Sequence, residues 1–578
     1  WLSKSVPGLS VQTMKVVLAL ILCALNVVNG KLMEVRSKHL PSEWTKLSDS
    51  VNSEDLLELS FFLKTPVEKA EMLEKELMIR SNPKSPLYGK WLSNDEVHEL
   101  SAPYPEAKQI VHEHLSKQNS KNNVVSKTPN GDVVSIVVSI AQAEEMLSAK
   151  YNKYQHASGK IVTRCDSYSL PDDVAEYISF VGPTTHLPKY FRPIISHPKK
   201  NNNIEVEVST NTPDNLRSLY GVNGVMGGNS SENKQAVTAF LSQYYSKSDL
   251  TIFWESYFPQ GEETSIDLVG DATTGVKAGV ESMLDIEYMP SLGAWIPTGF
   301  WGFSGSSPND AQDEPFLTWL TTVSSTPDNE VPLVFSTSYG ENEATEVPTN
   351  YSSRINVEFT KCGLRGISLL FASGDSGSAG DDGSCTNGQF VPMWPAGSPF
   401  VTAVGGTTGS SLPESAWSGS SGGFSNIYPT PDYQQEAVDT FFATAEAAGS
   451  LPNTSFYSMT GRGFPDISAQ ATDYPVYCDG TLLPSIGGTS CASPTSGGIF
   501  GLLNDARLAS GKTSLGFLNP MLYANPDALT DCTAGVQGGC KINDVKVSGF
   551  PAVDGWDAVT GLGSPNYQRL LAVVMDLP

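Results

Sequence analysis

Short apolar runs separated by helical segments fill the chain beyond residue 200 and limit the folds open to it. Four such runs are Ala236–Tyr245, Pro332–Tyr339, Gly366–Ser373 and Phe400–Gly405. Their residues are mainly apolar or small rather than alternating with charged ones, which is typical of strands buried on both faces. Strands of this kind that alternate with helices predict an α/β fold, with a mostly parallel sheet covered by helices on both faces.

A different composition precedes this region. Residues 31–200 contain 22 basic and 22 acidic residues, whereas residues 201–578 contain 13 basic and 40 acidic residues, a net charge of −27. The first part carries a long helical pattern, Ser53–Arg80, and a strand-like run, Asp132–Ile140. The polar segment Lys199–Asn203 between the two parts is typical of a linker. We interpret the chain as a proenzyme with a removable leader; two ordinary domains joined by a hinge are the alternative.

The N-terminus has the layout of a secretory signal peptide. Residues 1–13 precede the first methionine and are taken as upstream sequence. Met14 and Lys15 then form a basic start, Val16–Leu25 is an apolar run too short to span a bilayer, and Gly30 is a small residue at the end. These features predict a signal peptide over 14–30, with a buried N-terminal helix as the alternative. Since no other stretch approaches the roughly 18 unbroken apolar residues of a membrane helix, no membrane span is expected.

Sequons and cysteines agree with an exported protein. Sequons for N-glycosylation occur at Asn229, Asn350 and Asn453. Seven of the eight cysteines lie beyond the signal and are compatible with a few disulfides and one free thiol, although spacing alone leaves the pairing open. Neither a pair of CxxC motifs nor an HExxH motif is present, so no zinc site is expected.

The distribution of histidine restricts the chemistry. All seven histidines lie before residue 198, so residues 201–578 contain no imidazole. Histidine is the side chain that ordinarily titrates near neutral pH, and carboxylates are the abundant bases that remain. The overall net charge of −25 also argues against nucleic acid or an anionic membrane as the main partner.

Two serines have the local sequence of a nucleophile. Gly374–Gly377 reads GDSG and resembles the nucleophile loop of chymotrypsin-like proteases, while Gly487–Pro494 reads GGTSCASP and resembles that of subtilisin-like proteases. The second match is longer, and it places Ser490 between a glycine turn and a predicted helix, Ala492–Ala509. A helix N-terminus stabilises an oxyanion. A serine that only caps this helix is the alternative interpretation.

A carboxyl pair offers a base for this serine. Glu281 and Asp285 lie at positions i and i+4 of an apolar helical segment, Val280–Met289, and therefore share one helix face. Partial burial raises the pKa of one of two neighbouring carboxyls, so that the pair shares a proton and can accept another from serine at acid pH. The alternative is a solvated acidic face.

Taken together, these residues resemble the sedolisins, the serine-carboxyl peptidases. The similarity covers most of residues 31–578 and extends from the leader to the C-terminal Gly-Trp-Asp segment. Further matching blocks occur in the expected order, namely Ser81–Lys90, Ala278–Glu281, Leu370–Gly377, Trp394–Pro399 and Phe464–Ala469.

The resemblance implies a role for each acid near Ser490. Ser490 would be the nucleophile, Glu281 the general base and then acid, and Asp285 the residue that orients Glu281. Asp375, rather than Ser376, would complete the oxyanion hole, and it must be protonated to donate a hydrogen bond. Activity at acid pH and its loss toward neutrality are therefore expected.

The resemblance also implies one calcium ion near the C-terminus. Its ligands would be the carboxylates of Asp531 and Asp557 and the backbone carbonyls of Cys532, Val553 and Gly555. Such an all-oxygen set suits a hard cation. A disulfide between Cys385 and Cys540 is implied by the same family, and the other cysteine pairings stay open.

The implied architecture is subtilisin-like, a doubly wound, mostly parallel sheet preceded by a smaller α+β prodomain. The predicted divisions are a prodomain at 31–198, an activation linker at 199–212 and a peptidase domain at 213–578. Peptides or proteins would be the substrates, and the prodomain would be an intramolecular inhibitor. The activity would release tripeptides from free N-termini in the lysosome, another acidic vacuole or the extracellular space. An endopeptidase with an open cleft and an inactive binding or storage glycoprotein are the alternatives.

Overall fold

The computed structural model describes residues 30–36, 40, 44–118, 124–157, 161–187, 194–195, 211–240, 243–303, 315–343, 347–380, 383–542 and 545–578. The predicted signal peptide, apart from Gly30, and most of the predicted activation linker at 199–212 lie outside the described residues. Gly30 itself begins the first strand.

The leader folds as an α+β unit, as the sequence predicted. The strands are β1 Gly30–Val35, β2 Trp44–Lys46, β3 Leu56–Leu63, β4 Val125–Ser126, β5 Val133–Ser139, β6 Tyr151–His156, β7 Ile161–Cys165, β8 Ser167–Pro171, β9 Ile178–Gly182 and β10 Ile194–Ile195; the helices are α1 Val67–Ser81, α2 Asn94–Leu100, α3 Pro105–Gln118, α4 Ile140–Met146 and α5 Asp172–Ala175. The main sheet of the leader has the strand order β4-β5-β3-β9 and is antiparallel throughout. Helices flank this sheet, and a second antiparallel sheet joins β2, β6 and β7.

One prediction for the leader is wrong. The helical pattern assigned to Ser53–Arg80 divides into β3 and α1. In β3, Leu57, Leu59 and Phe61 pack in the core of the leader with polar residues between them, whereas Phe62 packs in a core that the leader shares with the second domain. The alternation of apolar and polar residues is short and ends in the apolar run 61–63, so it does not separate this strand from the helix that follows.

The second domain is built on an eight-stranded sheet. Its strands are β11 Gln235–Phe240, β12 Ile266–Val269, β13 Thr298–Phe303, β14 Val334–Thr337, β15 Glu341–Asn342, β16 Ser368–Ala372, β17 Met393–Trp394, β18 Thr402–Thr408, β19 Ser415–Ala416, β20 Gly423–Pro429, β21 Gly461–Phe464, β22 Ile467–Gln470, β23 Tyr474–Cys478, β24 Thr481–Gly487, β25 Leu529–Thr530, β26 Lys541–Ile542, β27 Val545–Lys546 and β28 Ser564–Pro565. The strand order in the eight-stranded sheet is β12-β13-β11-β14-β16-β18-β19, with β22 also paired to β18, and every pairing is parallel except that of β19. The helices are α6 Pro213–Leu219, α7 Lys247–Tyr257, α8 Val280–Leu292, α9 Pro315–Ser325, α10 Thr349–Leu364, α11 Gln435–Ala447, α12 Thr489–Ala509, α13 Asn519–Ala524 and α14 Tyr567–Asp576, with 3₁₀ turns at Pro259–Glu263, Thr454–Phe456 and Pro526–Ala528.

Helices cover both faces of this sheet, which confirms the predicted fold class. Val237, Val334 and Leu370 point into the core that contains α8 and α12. Their neighbours Phe335 and Phe371 point into the opposite core, which contains α9 and α10. The four apolar runs that predicted the sheet correspond to β11, β14, β16 and β18.

A close approach between α8 and α12 brings their residues together. A Cβ on Gly498 would lie 2.6 Å from the backbone nitrogen of Gly293 and from the carbonyl oxygen of Met289, so only glycine fits at this crossing. α12 begins at Thr489, three residues before its predicted start. The close packing sets Glu281 and Asp285 on α8 against the N-terminal end of α12.

A buried ionic cluster joins the leader to α10. Asp132 Oδ2, from the leader, lies 3.0 Å from an Arg354 nitrogen and 3.2 Å from Lys361 Nζ. Glu358 completes the cluster, paired with Arg354 and 3.0 Å from Lys361. All four side chains are buried. Burial opposes ionisation of Asp132, but Lys361 and Arg354 together hold its pKa well below the ordinary range.

Two leader histidines also contact the second domain. His98 is buried, with Nε2 3.0 Å from the carbonyl oxygen of Ser324. Burial and the neighbouring Lys361 lower the pKa of His98, so the neutral ring is favoured. His186 Nε2 lies 2.7 Å from a carboxylate oxygen of Glu341.

The described cysteines form one bridge. Cys385 and Cys540 are joined, as the family resemblance implied, with Cα atoms 5.6 Å apart. The other pairings, which the sequence left open, are not formed within the described residues, where five cysteines are buried and unpaired: Cys165, Cys362, Cys478, Cys491 and Cys532. No helix within the described ranges is long and apolar enough to cross a membrane.

Candidate active site

Ser490 lies at the start of a buried helix, directly after the predicted glycine turn. It is the second residue of α12, and its side chain is fully buried. Gly488 precedes the helix with a φ of 142°, and a Cβ there would lie 2.8 Å from Asp375 Oδ2. The first-turn N–H groups of a helix lack intrahelical partners, and its positive end stabilises negative charge. This position therefore suits an oxygen nucleophile and an oxyanion.

Glu281 and Asp285 lie one turn apart on α8, and both are buried. The backbone N–H of Glu281 donates to Gln243 Oε1 at 3.2 Å, which holds the first turn of the helix. Burial raises the pKa of Glu281, and the neighbouring Ser490 side chain opposes this by lowering it. Neither Ser490 Oγ nor the Glu281 oxygens make a hydrogen bond of standard geometry with any described residue.

Burial makes this carboxyl pair hold protons. Desolvation raises the pKa of Glu281, and repulsion from Asp375 adds to the effect. Desolvation also raises the pKa of Asp285 far above its ordinary value, with repulsion from Glu281 as the second cause. Two buried carboxyls this close cannot both ionise easily, so the pair retains a proton at acid pH.

Asp375 faces the same helix N-terminus. Its Oδ1 accepts hydrogen bonds from the Thr489 backbone N–H at 2.7 Å and from the Thr489 hydroxyl at 2.9 Å. Its Oδ2 is buried and makes no hydrogen bond with the described residues. Burial raises the pKa of Asp375 to about 6, against the lowering effect of Thr489. Since Oδ1 is occupied as an acceptor, a proton on the carboxyl resides on Oδ2 and is available to a ligand.

The structure thus brings together Ser490, Glu281, Asp285 and Asp375. Ser376, the serine of the GDSG motif, directly follows Asp375, and its backbone N–H donates to the Ser421 hydroxyl at 3.0 Å.

The sequence analysis missed two polar residues at the site. Ser338 directly follows β14 and donates from Oγ to Asp285 Oδ1 at 2.9 Å. Thr489 binds Asp375, as described above, and its hydroxyl also accepts the backbone N–H of Gly374 at 3.0 Å. The available signals were a hydroxyl residue at the carboxyl end of a buried parallel strand and a threonine directly before the candidate nucleophile.

The predicted calcium ligands also come together. The backbone N–H of Gly555 donates to Asp531 Oδ2 at 2.7 Å, and the Val553 N–H donates to Asp557 Oδ2 at 3.1 Å. Asp531 Oδ1 is buried without a hydrogen-bond partner among the described residues. A buried carboxylate oxygen that lacks a donor suits a hard cation, whereas both oxygens of Asp557 already accept backbone N–H groups.

This set differs from a cluster of charged side chains. Within the described part of the chain, no group of three or more histidine, cysteine, aspartate or glutamate side chains is arranged to hold a metal. The predicted set has only two carboxylates, and the carbonyls of Cys532, Val553 and Gly555 would supply the remaining ligands.

A strand from the end of the leader lies against the segment that leads into Ser490. Ile194 pairs with Gly487 and Ile195 with Ile486, in an antiparallel arrangement. β10 is thereby the edge strand of a three-stranded sheet with β24 and β23. Because β24 ends at Gly487, the leader strand β10 pairs with a residue that lies only three positions before Ser490 in the sequence.

Similarity to known proteins agrees with this organisation. Residues 42–187 match the family described as the pro-kumamolisin activation domain. The chain is 36% identical over 557 residues to tripeptidyl-peptidase 1 of Canis lupus familiaris, covering 93% of this chain and 95% of that protein. It is 35% identical over 550 residues to tripeptidyl-peptidase 1 of Mus musculus, covering 93% and 94%.

A solved structure with a similar fold is Pseudomonas sedolisin, a serine-carboxyl proteinase complexed with two molecules of pseudo-iodotyrostatin. It has 21% sequence identity and a TM-score of 0.49, and the match covers 63% of this chain and 97% of sedolisin.

The activation domain, the parallel sheet and the full-length relatives define a serine-carboxyl peptidase made with a prodomain. Within this class, the chain belongs to the tripeptidyl-peptidase 1 family.

Proposed function

We propose that this chain is the proenzyme of an acid-active peptidase that hydrolyses peptide bonds with Ser490, Glu281 and Asp285 and releases tripeptides from free N-termini. The observation that carries the proposal is the environment of Asp375. Its Oδ1 accepts two donors from Thr489, its Oδ2 is buried without a partner among the described residues, and burial raises its pKa to about 6. Such a carboxyl is a hydrogen-bond donor at acid pH and a repulsive anion at higher pH.

In the proposed reaction, Ser490 Oγ attacks the peptide carbonyl and Glu281 accepts the serine proton. The oxyanion that forms accepts hydrogen bonds from Asp375 Oδ2 and from the backbone N–H of Ser490. Glu281 then gives its proton to the leaving amine, which yields an acyl-enzyme. Water then attacks the acyl-enzyme with Glu281 as the base, the ester bond to Ser490 breaks, and Glu281 returns the proton to Ser490 Oγ as the tripeptide acid leaves. Asp285 orients Glu281 and shares its proton throughout.

Two titrations of opposite effect set the active pH range. Glu281 must have a free oxygen to accept the serine proton, so activity falls when the carboxyl pair becomes fully protonated. Asp375 must be protonated to donate to the oxyanion, so activity falls as the pH rises through about 6. The proposed enzyme therefore works in an acidic compartment and is inactive near neutrality.

We propose that the leader is an intramolecular inhibitor with the predicted divisions at 31–198 and 199–212, ahead of the peptidase domain at 213–578. β10 occupies the edge of β24 beside Ser490, and an extended peptide substrate would need such an edge for its backbone hydrogen bonds. The buried cluster of Asp132, Arg354, Lys361 and Glu358 strengthens the attachment of the leader.

The proposed calcium ion would be held by the carboxylates of Asp531 and Asp557 and by the carbonyls of Cys532, Val553 and Gly555. When bound, it would supply structural cross-linking rather than a catalytic group. The segment at 531–532 and the turn at 553–557 already contact each other through Gly555 and Asp531.

We propose the secretory pathway as the route, with the lysosome, another acidic vacuole or the extracellular space as the destination. All three sequon asparagines, Asn229, Asn350 and Asn453, are exposed, as glycosylation requires. The acid-dependent mechanism favours an acidic destination.

Digestion of matched peptides tests this function. The acid-activated enzyme is incubated at about pH 4, within the range expected from the raised pKa of Asp375, with one peptide in free and N-acetylated forms, and the products are read by mass spectrometry. Stepwise loss of three residues from only the free peptide is the expected result. Cleavage of both forms at internal bonds would establish an endopeptidase. Absence of cleavage by the processed enzyme, or undiminished cleavage by the Ser490→Ala variant, would reject the proposed chemistry.

A further inference from the structure

A hydroxyl group outside the proposed triad donates a hydrogen bond to one of its two carboxyls. Ser338 is fully buried at the end of β14, and its Oγ donates to Asp285 Oδ1 at 2.9 Å. Ser338 therefore contacts the carboxyl pair through Asp285, from the end of a strand that packs in the same core as the helix carrying the pair.

The pattern of satisfied and unsatisfied oxygens gives this hydroxyl a direction. Asp285 Oδ2 and both oxygens of Glu281 are buried and lack hydrogen-bond partners among the described residues. Asp285 Oδ1 alone has a donor. Burial raises the pKa of Asp285 most strongly, and the single proton that the Ser338 hydroxyl donates to Oδ1 opposes this effect because it favours the ionised carboxylate.

We propose that Ser338 is a positioning residue whose hydrogen bond to Asp285 Oδ1 stabilises the singly ionised form of the carboxyl pair, so that Glu281 can still accept the proton of Ser490 at acid pH. This inference rests on the proposed function of the triad. Ser338 touches neither the reacting atoms nor the oxyanion; it acts through Asp285.

The other ionisable groups around the pair do not replace this role. Asp375 repels charge on Glu281, but it is itself neutral below about pH 6. Burial raises the pKa of Cys491 and of Tyr339 far above their ordinary values, so both are neutral at acid pH. The Tyr339 hydroxyl is also engaged, since it accepts the backbone N–H of Phe240 at 3.0 Å. Among these groups, Ser338 is the one that donates a hydrogen bond to the pair.

Two substitutions of equal size isolate the hydroxyl. Ser338→Thr keeps a hydroxyl, and Ser338→Val replaces it with a methyl group of the same shape. Ser336→Ala is the matched control, because Ser336 is equally buried two residues earlier and its hydroxyl is bonded to that of Ser493 at 2.8 Å. Each variant is activated as the full-length proenzyme, and kcat and KM for a fluorogenic tripeptide amide are measured across the acid range.

The expected result is a shift of the acidic limb of the kcat profile. Loss of a hydrogen bond to an ionised carboxylate raises the pKa of the pair, so Ser338→Val should move this limb upward by about one pH unit, equivalent to about tenfold in kcat on the limb. KM should stay within about twofold, because the substrate contacts are retained. Ser338→Thr and Ser336→Ala should keep the wild-type limb.

Two outcomes separate the inference from the function on which it rests. If the acidic limb of the kcat profile falls at the same pH in Ser338→Val and in Ser338→Thr, while Ser490→Ala is inactive, the role of Ser338 is overturned and the triad stays intact. A limb that Ser336→Ala moves as far as Ser338→Val does would also overturn it, because general packing would then be the cause. Activity in Ser490→Ala would overturn the proposed function itself. If Ser338→Val does not fold, the Ser338→Thr profile decides, since a shifted limb despite the retained hydroxyl contradicts the inference.

Discussion

Substitution of Asp375 by asparagine separates its protonation from its hydrogen-bonding role. Thr489 donates twice to Oδ1, so the asparagine side chain of the Asp375→Asn variant would place its amide oxygen there and its NH₂ group at the position of Oδ2. The variant would present a permanent donor to the oxyanion. It would resemble the protonated aspartic acid and could not ionise.

The magnitude follows from the raised pKa. With a pKa of about 6, only about a tenth of the wild-type Asp375 carboxyls are protonated at pH 7, against nearly all of them at pH 4. The wild-type kcat should therefore fall about tenfold between these pH values from this titration alone. Asp375→Asn should lose this alkaline limb, although an amide donor is weaker than a carboxylic acid and should lower kcat at pH 4 by roughly tenfold.

The assay is the pH profile of kcat for the activated enzyme with a tripeptide amide substrate. Asp375→Ala is the matched control, because it removes the donor and should lower kcat by about 10²–10³-fold at every pH. The reasoning would be refuted if Asp375→Asn kept the wild-type alkaline limb, or if it were as inactive as Asp375→Ala across the whole range.

Further predictions concern the leader and the metal. Asp132→Asn leaves Glu358 as the one carboxylate for the two buried cations Arg354 and Lys361, an uncompensated charge that costs about 3–5 kcal/mol. This variant should speed acid activation measured by gel, whereas Lys150→Ala at an exposed pair should not. Burial and the nearby Lys361 lower the pKa of His98 while the leader is attached, so the released leader binds protons more readily and acidification favours its release. His98→Gln should therefore move the pH midpoint of activation to a lower value. An unchanged or higher midpoint would contradict this prediction. Chelation of calcium should lower the melting temperature of the activated enzyme. The free energy of unfolding should fall by about 2.7 kcal/mol if the free ion had been at a hundred times its dissociation constant. Asp531→Ala should show no such response to chelation, and equal responses in both proteins would contradict the assignment.

The sequence predicted the main sheet and the grouping of acids because both depend on strong local patterns. The buried strands β11, β14, β16 and β18 are continuous apolar runs, and the helix with Glu281 and Asp285 is marked by its spacing. Because no histidine occurs after residue 198, carboxyl groups are the bases that the sequence alone indicates for the second domain.

Other features depend on contacts that a single sequence does not encode locally. β3 was taken for part of a helix because its alternation of apolar and polar residues is short and is broken at Phe62, which packs against the second domain. Ser338 is one of many serines, and only the fold sets it against Asp285. The pairing of β10 with β24 joins segments almost three hundred residues apart, so no local pattern indicates it.

Trapping the acyl-enzyme tests most directly whether a carboxyl group activates the serine. Activated wild-type enzyme and the Glu281→Gln variant are mixed with a tripeptide ester at acid pH, quenched within one turnover, digested and analysed by mass spectrometry. We expect the tripeptide attached to Ser490 in the wild type and no adduct on the same timescale in Glu281→Gln. An adduct on another residue, or acylation of Glu281→Gln at the wild-type rate, would contradict the account.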